Sequence, residues 1–218
     1  MKESINYPMF PIVINKQLNK SIGYFGDSFC ANSTNEESYC NIVARSLGCG
    51  VISHFGVGSS SIWHMFFSFM EMKKQNKLPD NIVIVYTDPD RFYHPEKALP
   101  MWALSEKSET PLEHACDMYI KHLHCPELNK FQHKACIEWF DQNVLKPLTS
   151  NHNIVQIFAF DKFDIEINSS PLLDYNLMSL YQKCKDDGLK DNVLYNHMSK
   201  EQNQKVASDL LDKLIRNS

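Results

Sequence analysis

The chain has 218 residues, which at roughly 150 residues per domain reads as one domain, residues 1–218, with generous loops. With 43% hydrophobic and 11% aromatic residues it holds enough apolar material for a core, which excludes disorder for the bulk of the chain. Twenty-two Lys and Arg against 26 Asp and Glu give a net charge of −4, without the basic footprint of a nucleic-acid binder.

The first apolar run, Pro8 to Ile14, is interrupted by proline and followed by Lys16 and Lys20 instead of a small-residue cleavage site. Residues 1–20 therefore read as an N-terminal extension and not as a signal peptide. Strands are expected at Ser21–Gly26, Val51–Phe55, Asn81–Thr87 and Asn153–Phe160, each rich in Ile, Val, Phe or Tyr and bounded by turn residues. Helices are expected between them. Tyr39, Ile42, Val43 and Leu47 share one helical face, as do Ile62, Met65, Phe66, Phe69 and Met70. The aromatic group Trp63, Phe66, Phe67 and Phe69 reads as core between sheet and helix, with Trp63 the one candidate for a substrate wall.

Residues 88–110 lack a clean period and leave the end of the third strand, a candidate lid loop. Leu112 to Val144 is helical in character and splits near Cys125-Pro126, because the residue before proline is pushed out of the α region. The last helix has the clearest start signal, a capping box of Ser199 with Gln202, followed by Val206, Leu210, Leu211, Leu214 and Ile215 on one face. Alternating strands and helices predict a parallel sheet covered on both sides, with chemistry at the carboxyl ends of its strands.

No stretch approaches 18 consecutive apolar residues, so no membrane span is expected. Seven cysteines lie scattered from Cys30 to Cys184 with no C-x-x-C pair, and reduced thiols in a cytoplasm fit that pattern. His114, Cys116, His122, His124 and Cys125 do not converge on one helical face, so no metal site is expected there.

Six of the seven glycines, Gly23, Gly26, Gly48, Gly50, Gly56 and Gly58, fall in the first two strand units. Neither a G-x-G-x-x-G nor a P-loop accompanies them, so a nucleotide site of those kinds has weak support, and an acyl-transfer site built from backbone N–H groups is another candidate. After the first strand comes Gly26-Asp27-Ser28, after the second Phe55-Gly56-Val57-Gly58-Ser59-Ser60, and before the last helix Asn196-His197-Met198-Ser199. In these blocks the chain resembles the SGNH (GDSL-type) hydrolases. The resemblance implies a flavodoxin-like three-layer α/β/α sandwich with a mostly parallel central sheet, and a serine esterase without cofactor. It implies small acyl esters or acetylated glycans as substrates, Ser28 as nucleophile, His197 as general base and the Gly58 N–H in the oxyanion hole.

The chain departs from that pattern twice. The third block, normally G-x-N-D, reads Thr87-Asp88-Pro89-Asp90-Arg91, so Arg91 is the candidate donor to an oxyanion or to an anionic substrate, oriented by Asp88 or Asp90. The position of the triad acid, three residues before His197, is Leu194, which leaves Asp191 as the candidate acid or a Ser-His dyad held by a backbone carbonyl. Two further readings stay open: a hydrolase-like binding or structural protein with impaired catalysis, and an acyltransferase using the same serine.

Overall fold

In a computed structural model of the protein, the described residues are 11–13, 20–31, 35–93, 99–100, 110–162, 164–190, 194 and 196–215. The four expected strands are present as β2 (Lys20–Ala31), β3 (Cys49–Gly56), β4 (Asn81–Tyr86) and β7 (Asn153–Phe158). Two short strands that the sequence did not announce, β1 (Pro11–Val13) and β8 (Leu172–Asn176), take the edges of the sheet. The six run in the order β1-β3-β2-β4-β7-β8, all parallel except β1, which pairs antiparallel with β3. A separate pair, β5 (Arg91–Phe92) and β6 (Leu99–Pro100), folds back within the candidate lid segment, whose residues 94–98 and 101–109 lie outside the described residues.

Alternate side chains of the central strands divide between two cores, as a pleated strand buried on both faces must. Ile22, Tyr24, Val83, Val85, Val155 and Ile157 face one layer, formed by α1 (Tyr39–Ser46), α5 (Leu177–Asp186) and α6 (Lys200–Ile215). Phe25, Ile82, Ile84, Tyr86, Ile154 and Phe158 face the other, formed by α2 (Ile62–Lys74), α4 (Pro126–Phe140) and the π-helical turn that continues α4 through Asp141–Leu145. The result is a three-layer α/β/α arrangement with a mostly parallel sheet. The split at Cys125-Pro126 holds: α3 (Pro111–His122) ends before it and Pro126 opens α4.

Ser199 caps α6 as expected, its hydroxyl accepting from the Gln202 N–H while Gln202 Oε1 accepts from the Ser199 N–H, both at 3.3 Å. Val206, Leu210 and Leu214 are buried beneath that helix, but Ile215 is 58% exposed and does not belong to its apolar face. The aromatic group on α2 also divides. Phe66 and Phe69 are core, whereas Trp63 and Phe67 are 44% and 53% exposed, because they lie on the side of α2 turned from the sheet.

His133 of α4 is 5% exposed, and burial pushes its imidazole down to about 4, against an opposing hydrogen bond with the Thr87 backbone. Burial shifts His54 of β3 in the same direction. Between pH 6.5 and about 4 the unfolded chain binds the proton that folded His133 refuses, so stability is full above that interval and falls as pH drops through it. The expected loss for His133 is about 3 kcal/mol. Urea unfolding at several pH values checks this: the acid side of the profile should flatten in His133→Asn, and parallel profiles for wild type and variant would count against it.

Candidate functional site

In the parallel part of the sheet, β2 is the first strand in sequence. Its successor β3 lies on one side, and the chain then crosses to β4 on the other. That reversal opens a crevice between the carboxyl ends of β2 and β4, the usual ligand position in open α/β sheets. The end of β2 is irregular there. Gly26 pairs with Gly56, and so does Ala31, so Asp27, Ser28, Phe29 and Cys30 bulge out of the ladder between them.

Two glycines permit the bulge. A Cβ on Gly26 would stand 2.5 Å from the Val85 carbonyl oxygen, and one on Gly56 would stand 2.5 Å from the Asp27 carbonyl oxygen and 2.6 Å from Ala31 N. The turn after β3 is fastened to the same place, since the Gly26 carbonyl accepts from Val57 N–H at 3.3 Å and from the Ser60 hydroxyl at 3.2 Å. Gly58 sits at the front of this turn. A Cβ on Gly58 would come 4.0 Å from Ser28 Cβ, so its missing side chain leaves open the space beside the serine.

Ser28 lines a cavity of about 490 Å³ together with Phe29, Ser59, Asp88, Asp90, Arg91, Phe160, Met178, Tyr181 and His197. His197 reaches it from the turn before α6. Its ring packs 4.9 Å from Phe29 and 5.5 Å from Tyr181 between centroids. The turn is locally strained, with φ of 48° at Asn196 and 68° at His197, and Ser59 on the opposite wall has φ 59°. Asn196 fixes the turn to the bulge by donating from Nδ2 to the Phe29 carbonyl at 2.8 Å.

Asp27 points inward from the bulge and is fully buried. Its Oδ1 accepts from the Phe29 N–H at 3.0 Å, and its Oδ2 accepts from the Thr87 hydroxyl at 3.1 Å. Arg91 Nη1 lies 3.0 Å from that Oδ2, the two side chains being 10% and 0% exposed. The same nitrogen donates to the Ser60 carbonyl at 3.3 Å, and the guanidinium lies 4.7 Å from the centre of the Phe160 ring. Burial pushes the Asp27 carboxyl up from its ordinary value, while Arg91, the Phe29 N–H and the Thr87 hydroxyl oppose that shift.

The partner of Arg91 is thus Asp27 and not Asp88 or Asp90, the two orienting residues expected from the sequence. Asp88 instead accepts from the Asp90 N–H at 2.7 Å. Asp90 Oδ1 takes the Asn129 amide at 3.3 Å and stands 3.2 Å from His124 Nε2, which joins the exit of β4 to the turn between α3 and α4. Burial raises the Asp88 carboxyl, with the charges of Asp90 and Asp161 adding to the shift and the Asp90 N–H and Arg91 opposing it.

Of the expected site residues, Ser28, Arg91 and His197 line one cavity and Gly58 adjoins Ser28. Asp191 lies outside the described residues. Phe160, Met178, Tyr181 and Asp27 were not foreseen. For Met178 and Tyr181 a signal existed, since Asn176 caps α5 through the Ser179 N–H at 2.7 Å and Leu177, Leu180, Tyr181 and Cys184 keep helical spacing. Among the described residues no group of three His, Cys, Asp or Glu side chains is placed to hold a metal ion, and no helix is long and apolar enough to cross a membrane.

No protein-family model matches the chain, and no curated protein matches it. Among solved structures it is similar to Axe2, an acetylxylan esterase from Geobacillus stearothermophilus, at 12% identity over 93% of this chain and 96% of that one, with a TM-score of 0.48. It is also similar to the acetyl xylan esterase AlAXEase, at 14% identity over 88% and 98% of the two chains, with a TM-score of 0.46.

Proposed function

We propose that the chain is a serine ester hydrolase that works through an acyl-enzyme on Ser28. The observation that carries this reading is the meeting of Ser28, His197 and Arg91 in one cavity at the crevice between β2 and β4, with Gly58 beside the serine. His197 takes the proton from Ser28 Oγ as that oxygen attacks the ester carbonyl, and the tetrahedral oxyanion is held by the N–H groups of Ser28 and Gly58 and by Arg91. The intermediate collapses when His197 returns the proton to the departing alcohol oxygen. Water then enters, gives its proton to His197 and attacks the acyl carbon, which frees the acid and restores Ser28. A second hydroxyl in place of water would make the same site an acyltransferase.

Asp191 is the proposed acid behind His197, and a backbone carbonyl is the alternative. The cavity suits a small acyl group with the alcohol part toward Phe160, Met178 and Tyr181, and O-acetyl groups on carbohydrate are the proposed biological version. No cofactor enters the reaction.

A fluorophosphonate probe tests the assignment. One serine should be labelled in the wild type, and Ser28→Ala should lose both the label and at least about a thousandfold in ester turnover. An unlabelled wild type, or equal labelling of the variant, would remove Ser28 from the role and favour a non-catalytic binding protein.

A further inference from the structure

Among the described residues, the charges around the cavity do not balance. Its lining holds two carboxyl groups, Asp88 and Asp90, one guanidinium, Arg91, and one imidazole, His197. Asp27, immediately behind Arg91 at 3.0 Å and fully buried, offsets most of the guanidinium charge as seen from a distance. What Arg91 offers the cavity is therefore a dipole, its N–H end partly exposed and its carboxylate end sealed. Such a dipole acts on an oxygen within bonding reach and fades quickly beyond it. Among the described residues, neither Asp88 nor Asp90 forms a salt bridge with an arginine or lysine: Asp88 accepts from a backbone N–H, Asp90 meets an amide and an imidazole, and Arg91 acts on Asp88 only through space. Farther out, Asp161 acts on Asp88 as a like charge and Lys185 stands 5.7 Å from the centre of the Tyr181 ring, one charge of each sign.

We infer that the cavity takes uncharged or cationic esters and turns away esters that carry a permanent negative charge, a selection set by Asp88 and Asp90 once Asp27 has neutralised Arg91. The inference rests on the hydrolase reading and names its substrate class. An oxyanion formed at Ser28 is short-lived and lies within reach of fixed donors, whereas an anionic substituent on the alcohol must enter a cavity whose uncompensated charge is negative.

The test compares acetylcholine, its uncharged carbon isostere dimethylbutyl acetate, and the anionic sulfoethyl acetate at pH about 8, where an ordinary imidazole is neutral. At low salt, kcat/KM for the sulfonate should fall at least about tenfold below the uncharged ester, and the gap should narrow in high salt and in Asp88→Asn and Asp90→Asn. Turnover of the sulfonate equal to or above that of the uncharged ester overturns the inference and leaves the hydrolase reading intact. Failure of all three esters removes the hydrolase reading instead. Binding of the three corresponding alcohols to the Ser28→Ala protein, followed by ligand-observed NMR, then decides the charge preference without turnover. Weaker binding of hydroxyethanesulfonate than of dimethylbutanol and choline upholds the preference; equal binding, or no binding by any of the three, overturns it.

Discussion

Asp27→Ala should destabilise the protein by about 3–5 kcal/mol, because it leaves the Arg91 guanidinium largely buried without its counter-charge. The expected loss comes mostly from the arginine left behind and much less from any net worth of the pair. The partners of the two groups allow the distinction to be measured. In the double variant Asp27→Leu with Arg91→Met no charge is stranded, so most of the stability should return, while Ser60, Thr87 and the Phe29 N–H lose one partner each. Activity should not return with it. On the proposed mechanism the oxyanion loses one fixed donor without Arg91, an expected fall of about a hundredfold in kcat/KM. Urea unfolding and ester turnover on the two single variants and the double variant give both numbers. A double variant as unstable as Asp27→Ala would show that the loss lies in the shape of the bulge and not in the stranded charge.

Gly56→Ala should be the most damaging single methyl addition in the sheet. The new Cβ would meet three backbone atoms at once, Asp27 O at 2.5 Å and both Ala31 N and Cys30 C at 2.6 Å, and a bulge pinned at both ends, where Gly26 and Ala31 pair with Gly56, cannot swing aside as a side chain can. A loss of about 3 kcal/mol or more is expected, or failure to fold at all. Gly58→Ala provides the contrast, since its methyl would make only an ordinary contact with Ser28 Cβ. That variant should unfold at nearly the wild-type urea concentration while narrowing the space next to the serine. If Gly56→Ala were as stable as Gly58→Ala, the bulge would have to be more compliant than its contacts allow.

The difference between these two glycines was not legible in the sequence, where both simply follow a strand. The strands themselves were legible because β2, β3, β4 and β7 are buried runs of Ile, Val, Phe and Tyr, a composition that few other structures accommodate. The strand β8 was not, because only Leu173 of its five residues is buried and an edge strand half in solvent needs no apolar run. At the site, Ser28, Gly58 and His197 stand in blocks whose order along the chain announces them. Asp27 as the partner of Arg91 does not, since a buried ion pair between residues far apart in sequence depends on how β2 and β4 lie together, which no local pattern encodes.

The hydrogen bond from Asn196 to the Phe29 carbonyl spans 167 residues, and another from the Tyr39 N–H to Asn203 Oδ1 spans 164. Both belong to the seam where the last turn and α6 close against the bulge and α1. Contacts of such sequence separation are made late when a chain folds, because the loop must close before they return anything. The entropy of closure itself grows slowly, by about 0.6 kcal/mol for each doubling of loop length, so the delay reflects search and not a large equilibrium penalty. Refolding should therefore pass through a stage in which the sheet is assembled while His197 has not yet reached the cavity that Ser28 lines. The same seam is where a partial opening would begin, drawing the turn that carries His197 away from the cavity while the sheet and the core beneath α2 and α4 stay folded.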